Sequence, residues 1–119
     1  MEKAPNQDFF SLVEESKTFN TNNFSVTRLL ILSQLVAYGY DGAAFRELKH
    51  ALKISDGQLY AHLKSLEKNG FIQIKKNQIT FEKKKLDQYT ITTEGKAEWN
   101  RINNWLKKII QTEGNNHES

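Results

Sequence analysis

The chain has 119 residues, enough for one domain with one core and too few for two well-packed domains. Its 38% hydrophobic and 26% charged residues suit a globular protein with a heavily charged surface, and a net charge of +3 favours a polyanionic partner. With no cysteine, disulfides, thiolate metal sites and thiol redox sensing are excluded.

After a lead over residues 1–5, residues 6–19 carry Phe9, Phe10, Leu12 and Val13 at helical spacing with Glu14 and Glu15 outward, which predicts a first helix. The run Asn20-Thr21-Asn22-Asn23 breaks it and offers an N-cap for the next. Residues 24–38 are apolar nearly all round (Phe24, Val26, Leu29, Leu30, Ile31, Leu32, Leu35, Val36), the pattern of a central helix buried by its neighbours. Gly39 and the turn Tyr40-Asp41-Gly42 end it.

Phe45, Leu48, Ala51 and Leu52 then predict a helix of about two turns that stops before Ile54. Ser55 and Asp56 compete as N-cap of the following helix, residues 56–69, which packs through Leu59, Leu63 and Leu66 and ends at Gly70. From Phe71 the period changes to two, predicting strands near residues 72–74 and 88–92. The lysine-rich segment KKNQITFEKKK joins them; it lacks the Asn-Gly of a tight turn, so a long, mobile loop is expected. Thr92, Thr93, Glu94 and Gly95 cap a last helix over residues 93–112, with Trp99, Ile102, Leu106 and Ile109 spaced 3, 4 and 3. The polar tail, residues 113–119, is expected to be disordered. Gly57 and Gly95 read as helix-start glycines that permit close packing. No leader with a basic start and apolar run opens the sequence, and the longest apolar stretch, broken at Ser33 and Gln34, is too short for a bilayer. No membrane association is expected, and a cytoplasmic location is.

Two short helices joined by a three- or four-residue turn make a helix-turn-helix, in which the second helix enters the DNA major groove. The helical wheel agrees: with Leu59 at 0° and about 100° per residue, Leu63 and Leu66 lie within roughly 40° of it. Gly57, Ala61, Lys64, Ser65 and Lys68 cluster opposite, Gln58 adjoins them, and Tyr60 and His62 lie on the borders. That outer face holds no carboxylate, since Asp56 is at the cap and Glu67 near the apolar border. Small residues beside lysines and a glutamine suit close approach to a duplex, with ammonium groups for phosphates and an amide for a base edge.

The stretches TRLLILSQL (27–35), FRELKHALKISDGQLYAHLKSLEKNGFIQI (45–74) and YTITTEGK (89–96) resemble the winged-helix repressors of the ArsR- and MarR-like kind, over about residues 24–98. The resemblance implies an α+β, mainly α fold: a winged helix-turn-helix with extra N- and C-terminal helices, in a single domain over residues 6–112. It implies a homodimeric, sequence-specific regulator of double-stranded DNA, expected to be a repressor. By position, Ser55, Asp56, Gln58, Tyr60, Ala61 and Lys64 are the expected recognition-helix contacts, and the outer face of the helical wheel adds Ser65 and Lys68. Lys75, Lys76, Lys83, Lys84 and Lys85 flank or form the expected basic wing, about residues 75–86. Tyr60 and Ala61 stand where relatives often carry serine and arginine, and the wing lacks the glycine or proline common near its tip, so base preference is not inherited.

Plainer readings remain beside these. The triplet Lys83, Lys84 and Lys85 is either a solvated tip or, beside a helix-turn-helix, a set of phosphate contacts. Arg46, Lys49 and Lys53 serve either the DNA backbone or solubility. His50, His62 and His117 have no metal-ligand spacing, and His62 reads as a packing or hydrogen-bonding residue. No catalytic set and no cofactor site can be assembled, so an enzyme is not expected. Phe9, Phe10, Val13, Trp99, Ile102, Trp105, Leu106 and Ile109 either cap the core of one chain or form a two-fold dimer interface, and the second is expected. The alternative function is a winged-helix protein-interaction module without DNA binding, in keeping with the modest charge and Ala61. A small-molecule effector between the terminal helices is not indicated, because nothing polar converges near Phe9, Phe10 and Trp99.

Overall fold

The chain runs through α1 (Gln7–Ser16), α2 (Val26–Tyr38), a 3-10 turn (Gly39–Asp41), α3 (Phe45–Leu52), α4 (Asp56–Lys68), β1 (Ile72–Ile79), β2 (Lys85–Ile91) and α5 (Thr93–Asn116). The computed structural model describes residues 7–20, 25–79 and 82–116, so the expected lead, Phe24 and the last three residues of the expected tail lie outside them. Element order and type follow the sequence pattern. The final helix continues to Asn116, four residues into the segment expected to be a disordered tail.

Ser25 caps α2: its backbone is extended and its hydroxyl accepts from the Arg28 N–H at 3.1 Å, while Thr21, Asn22 and Asn23 of the expected capping run lie outside the described residues. The helix is central but buried on one side only. Ile31, Leu32 and Leu35 are fully buried under α4, β2 and α5, while Val26 and Leu30 stay at least half exposed. Leu48 of α3, Leu59, Leu63 and Leu66 of α4, and Ile72 and Ile91 at the ribbon's base complete the core. Each such side chain contributes about 1.5–3 kcal/mol by leaving water, and truncation to alanine costs about 2–5 kcal/mol.

The antiparallel ribbon is longer than expected. Within the expected strands Ile72 pairs with Ile91, Gln73 with Thr90 and Ile74 with Tyr89; the pairing runs on to Lys75 with Gln88 and resumes at Gln78 with Leu86 and Ile79 with Lys85. Between these lies a bulge in which Lys76 and Asn77 oppose Asp87 alone. Asn77 takes a left-handed φ of 55°, and its N–H donates to the Asp87 carboxylate at 3.1 Å. Ala43 adds a one-residue third strand, exchanging backbone bonds of 2.9 and 2.7 Å with Tyr89. Gly42 makes that approach possible: its φ is +70°, and a Cβ there would lie 2.3 Å from the Tyr89 carbonyl oxygen.

The two helix-start glycines differ. A Cβ on Gly95 would stand 2.1 Å from the Phe71 carbonyl, so this glycine lets α5 press on the α4–β1 junction as expected. A Cβ on Gly57 would meet nothing within 4 Å, which removes close packing as its reason.

Helix α1 is seated on α5. The Trp105 indole donates to the Leu12 carbonyl at 2.9 Å and meets the Phe19 ring edge-on, with centroids 5.7 Å apart. Glu98, only 6% exposed, accepts from the Asn20 N–H at 3.1 Å and from Arg101 at 3.0 Å, tying the end of the α1 segment to α5.

Candidate nucleic-acid interface

Helix α4 is held at both ends. Lys53 closes α3 in the left-handed conformation (φ 56°, ψ 44°) and donates its N–H to Lys49 at 2.9 Å, turning the chain sharply into Ser55. Ser55 is the N-cap: its hydroxyl accepts from the Gln58 N–H, and the Gln58 side-chain oxygen accepts from the Ser55 N–H, both at 3.1 Å. Asp56, the rival cap, instead bridges to Lys49 of α3 at 2.7 Å. At the far end Phe71 donates to Leu66 and Gly70 to Glu67, a paired closure with Gly70 at φ +81°. With the leucine face fixed inward, Gly57, Gln58, Ala61, Lys64 and Lys68 are exposed and Ser65 is half-buried.

The expected contacts on α4 therefore divide. Ser55, Asp56 and the Gln58 carbonyl oxygen build the turn, which leaves the Gln58 amide nitrogen as the part able to meet a base. Tyr60 is 55% exposed, and Lys64 lies 5.7 Å from its ring centre and 3.8 Å from Glu67. This border faces β2: Tyr89, whose hydroxyl pKa is raised by burial first, also feels the charges of Glu67 and Asp87. On the opposite border His62 accepts at Nδ1 from Arg28 Nε at 3.1 Å, strutting α4 against α2. Burial first, and the Arg28 charge second, hold the His62 pKa below the ordinary histidine value, so the ring stays a neutral acceptor. His62 is thus the hydrogen-bonding residue the sequence suggested. Its partner Arg28, 34 positions away, carries no local signal.

The ribbon lysines also divide. Lys75 turns back to the ribbon's root, its ammonium 3.6 Å over the Tyr40 ring and 3.4 Å from the Tyr40 carbonyl oxygen, so it does not belong with the outward wing residues. Lys76 pairs with Asp87 at 3.4 Å and Lys84 with Glu82 at 3.6 Å. The Asn77 N–H first, with Lys76, draws the Asp87 carboxyl below the usual aspartate range. Lys83 and Lys85 are exposed and have no ion pair among the described residues. Arg46 and Lys49 border a cleft of about 480 Å³ between the helix-turn-helix and the ribbon, where Asp56 and Asp87 offset their charge.

The eight residues expected at a dimer interface are parted as well. Ile102 is fully buried within its own chain, Trp99 packs on the core, and Trp105 is engaged with Leu12 and Phe19. Phe9, Phe10, Val13 and Leu106 remain 37–51% exposed, Ile109 is half-buried, and Ile110 is 66% exposed. Periodicity marked the stripe without separating its inward from its outward edge. Among the described residues no cluster of three His, Asp or Glu is placed to hold a metal, and no helix is long and apolar enough to cross a membrane.

Residues 27–110 match the winged helix DNA-binding domain family, from α2 through most of α5. The chain belongs to that family. An uncharacterized protein of Methanocaldococcus jannaschii is 36% identical over 99 residues, covering 83% of this chain and 96% of the relative. Among solved structures, a transcriptional regulator homologue from Pyrococcus horikoshii superposes with a TM-score of 0.69 at 25% identity, over 87% of this chain and 96% of that one. MepR of S. aureus in a DNA complex shares the winged-helix fold, with a TM-score of 0.64, 18% identity, and coverage of 91% and 80%. The family model is that of a DNA-binding domain, and the Pyrococcus horikoshii neighbour is a transcriptional regulator homologue.

Proposed function

We propose that this winged-helix protein is a homodimeric, sequence-specific regulator of double-stranded DNA that represses transcription by occupying its operator. The supporting observation is the carboxylate-free outer face of α4, fixed at both ends and flanked by the ribbon on one border and α2 on the other. Gln58, Tyr60, Ala61, Lys64, Ser65 and Lys68 lie across the major groove in this reading, and Lys76, Lys83, Lys84 and Lys85 reach the backbone or minor groove. Phosphate contacts supply most of the affinity; Tyr60, Ala61 and the Gln58 amide nitrogen set base preference.

The shape of the chain supports a dimer. Its radius of gyration is 17.8 Å, whereas a compact chain of this length would have about 13.5 Å. The long axis of 63 Å accommodates α5, which leaves the outer edge of its stripe, with Phe10 and Val13 of α1, for a second copy. Two-fold pairing places half-sites about 34 Å apart.

Titrating genomic fragments at low salt, with sedimentation of the protein alone, tests this reading. Sequence-selective binding, two protomers per site and reduced transcription from the bound promoter are expected; no duplex binding at low salt would sink it. The rival interaction-module reading is favoured by one feature, that Lys64, Lys76 and Lys84 each already have a carboxylate partner. It predicts a stable complex with a different protein and no salt-sensitive DNA affinity.

A further inference from the structure

The Arg28–His62 contact has a chemistry that a strut alone does not require. Arg28 stands in the first turn of α2 and reaches the middle of α4, where its Nε–H donates to His62 Nδ1 at 3.1 Å. Both residues are half-buried. An apolar pair would join the two helices without drawing a guanidinium partly out of water, which costs free energy unless something recovers it. A carboxylate would be the stronger acceptor for an arginine and would cancel its charge. A neutral imidazole instead orients the planar fork through one of its five donors and leaves the positive charge standing. Burial first, and the Arg28 charge second, keep the ring in that neutral form.

Neither helix cancels the charge from elsewhere. At about 100° per residue, Gln58, Ser65 and Asn69 lie within roughly 60° of His62 around α4, and none of them is charged. The carboxylates of α4, Asp56 and Glu67, lie about 120–140° round from His62, towards the ribbon. There they bridge to Lys49 and Lys64. Helix α2 contains no acidic residue. The α2 border of the outer face therefore joins an oriented cation to uncharged polar side chains. A helix seated in a major groove has a phosphate backbone along each side. The ribbon lysines stand on one side of α4, and Arg28 stands on the other.

We propose that Arg28 is a further duplex-binding residue, held by His62 so that its guanidinium grips a phosphate on the backbone opposite the ribbon. His62 is a positioning residue: it aims the fork and touches no phosphate itself. This role rests on the reading of α4 as the groove-facing helix.

In the test, the full chain is titrated onto a labelled random-sequence duplex of about 30 base pairs, because phosphate contacts need no particular sequence. Anisotropy reads the affinity over about a fourfold rise in salt from a low starting concentration. Arg28→Met should lower the magnitude of the log–log slope by about 1.8 for a dimer, at 0.9 per phosphate. Its loss of affinity over that rise is then about 12-fold smaller than the wild type's. A variant that had merely unfolded in part would lose the same factor at every salt concentration and keep its slope. Arg28→Lys keeps the charge without the fork, so its slope should match the wild type while affinity falls about fivefold. His62→Leu should behave like Arg28→Lys, and His62→Asn, whose side-chain oxygen takes the place of Nδ1, should restore nearly wild-type affinity. A wild-type slope in Arg28→Met, with the wild type bound, overturns this proposal alone. Equal affinities for His62→Leu and His62→Asn overturn the positioning role. Absence of duplex binding by the wild type at low salt overturns the proposal together with the reading on which it rests.

Discussion

Replacing Lys83 and Lys85 together by alanine should flatten the salt dependence of duplex binding. These two lysines are exposed at the end of the ribbon without an intrachain ion pair among the described residues, whereas Lys76 and Lys84 are paired and Lys75 lies on Tyr40. If each meets one phosphate, a dimer loses four contacts, and the slope of log affinity against log salt falls in magnitude by about 3.6, at 0.9 per phosphate. Over a fourfold rise in salt this makes the variant's loss of affinity about 150-fold smaller than that of the wild type; a monomer on DNA would show only about 12-fold. Fluorescence anisotropy of a labelled operator at a series of salt concentrations reads this directly. The exposed sites make a fold effect small, within about 0.5 kcal/mol, which thermal melting checks. An unchanged slope in the double variant, with a reduced slope in Lys75→Met, would refute the assignment, because the contact would then come from the lysine turned to the ribbon's root.

Other outcomes follow from the packing. Glu98→Gln neutralises the buried acceptor of the Asn20 N–H and Arg101; because Arg101 is half-exposed, the expected loss is about 1–2 kcal/mol, read by urea denaturation. Gly42→Ala forces a left-handed alanine whose Cβ lies 2.3 Å from the Tyr89 carbonyl; a loss of about 2–4 kcal/mol and of hydrogen-exchange protection at the Tyr89 amide is expected. His62, held below its ordinary 6.5 by burial and then by Arg28, resists a proton that the unfolded chain accepts. Stability should therefore be level above pH 6.5 and fall as pH drops through it towards the folded value, and His62→Gln should remove that component in denaturation series on either side of pH 6.5.

The parts legible in the sequence are those governed by local repetition. Leucines 59, 63 and 66 place the buried face of α4 and so its exposed face; Ser55, Gly70 and Thr92 mark helix ends by their own chemistry. The outer ribbon was not legible, because residues 75–79 and 85–87 are mostly exposed on both faces and show no alternation of apolar and polar groups. Its register depends on Asp87 clasping Asn77, a contact across the hairpin that no spacing reveals. The same limit hid the Arg28–His62 strut and the inward turn of Lys75. In α5 the apolar stripe was plain, but the assignment of Trp99, Ile102 and Trp105 to the chain's own packing required the position of α1.

The bulge opposite Asp87 divides the ribbon into two parts with different evolutionary freedom. Below it, Ile72, Ile91 and the Ala43–Tyr89 bridge belong to the core, and a change in length there would shift every buried neighbour. Beyond it, the pairs of Gln78 with Leu86 and Ile79 with Lys85 contribute no residue to that core. Insertions, deletions and charge changes in this outer segment therefore leave the scaffold's stability nearly untouched while altering how far and how strongly the arm reaches. On the proposed reading of the ribbon as a DNA-contacting wing, one helical scaffold can in this way supply regulators whose footprints diverge faster than their folds.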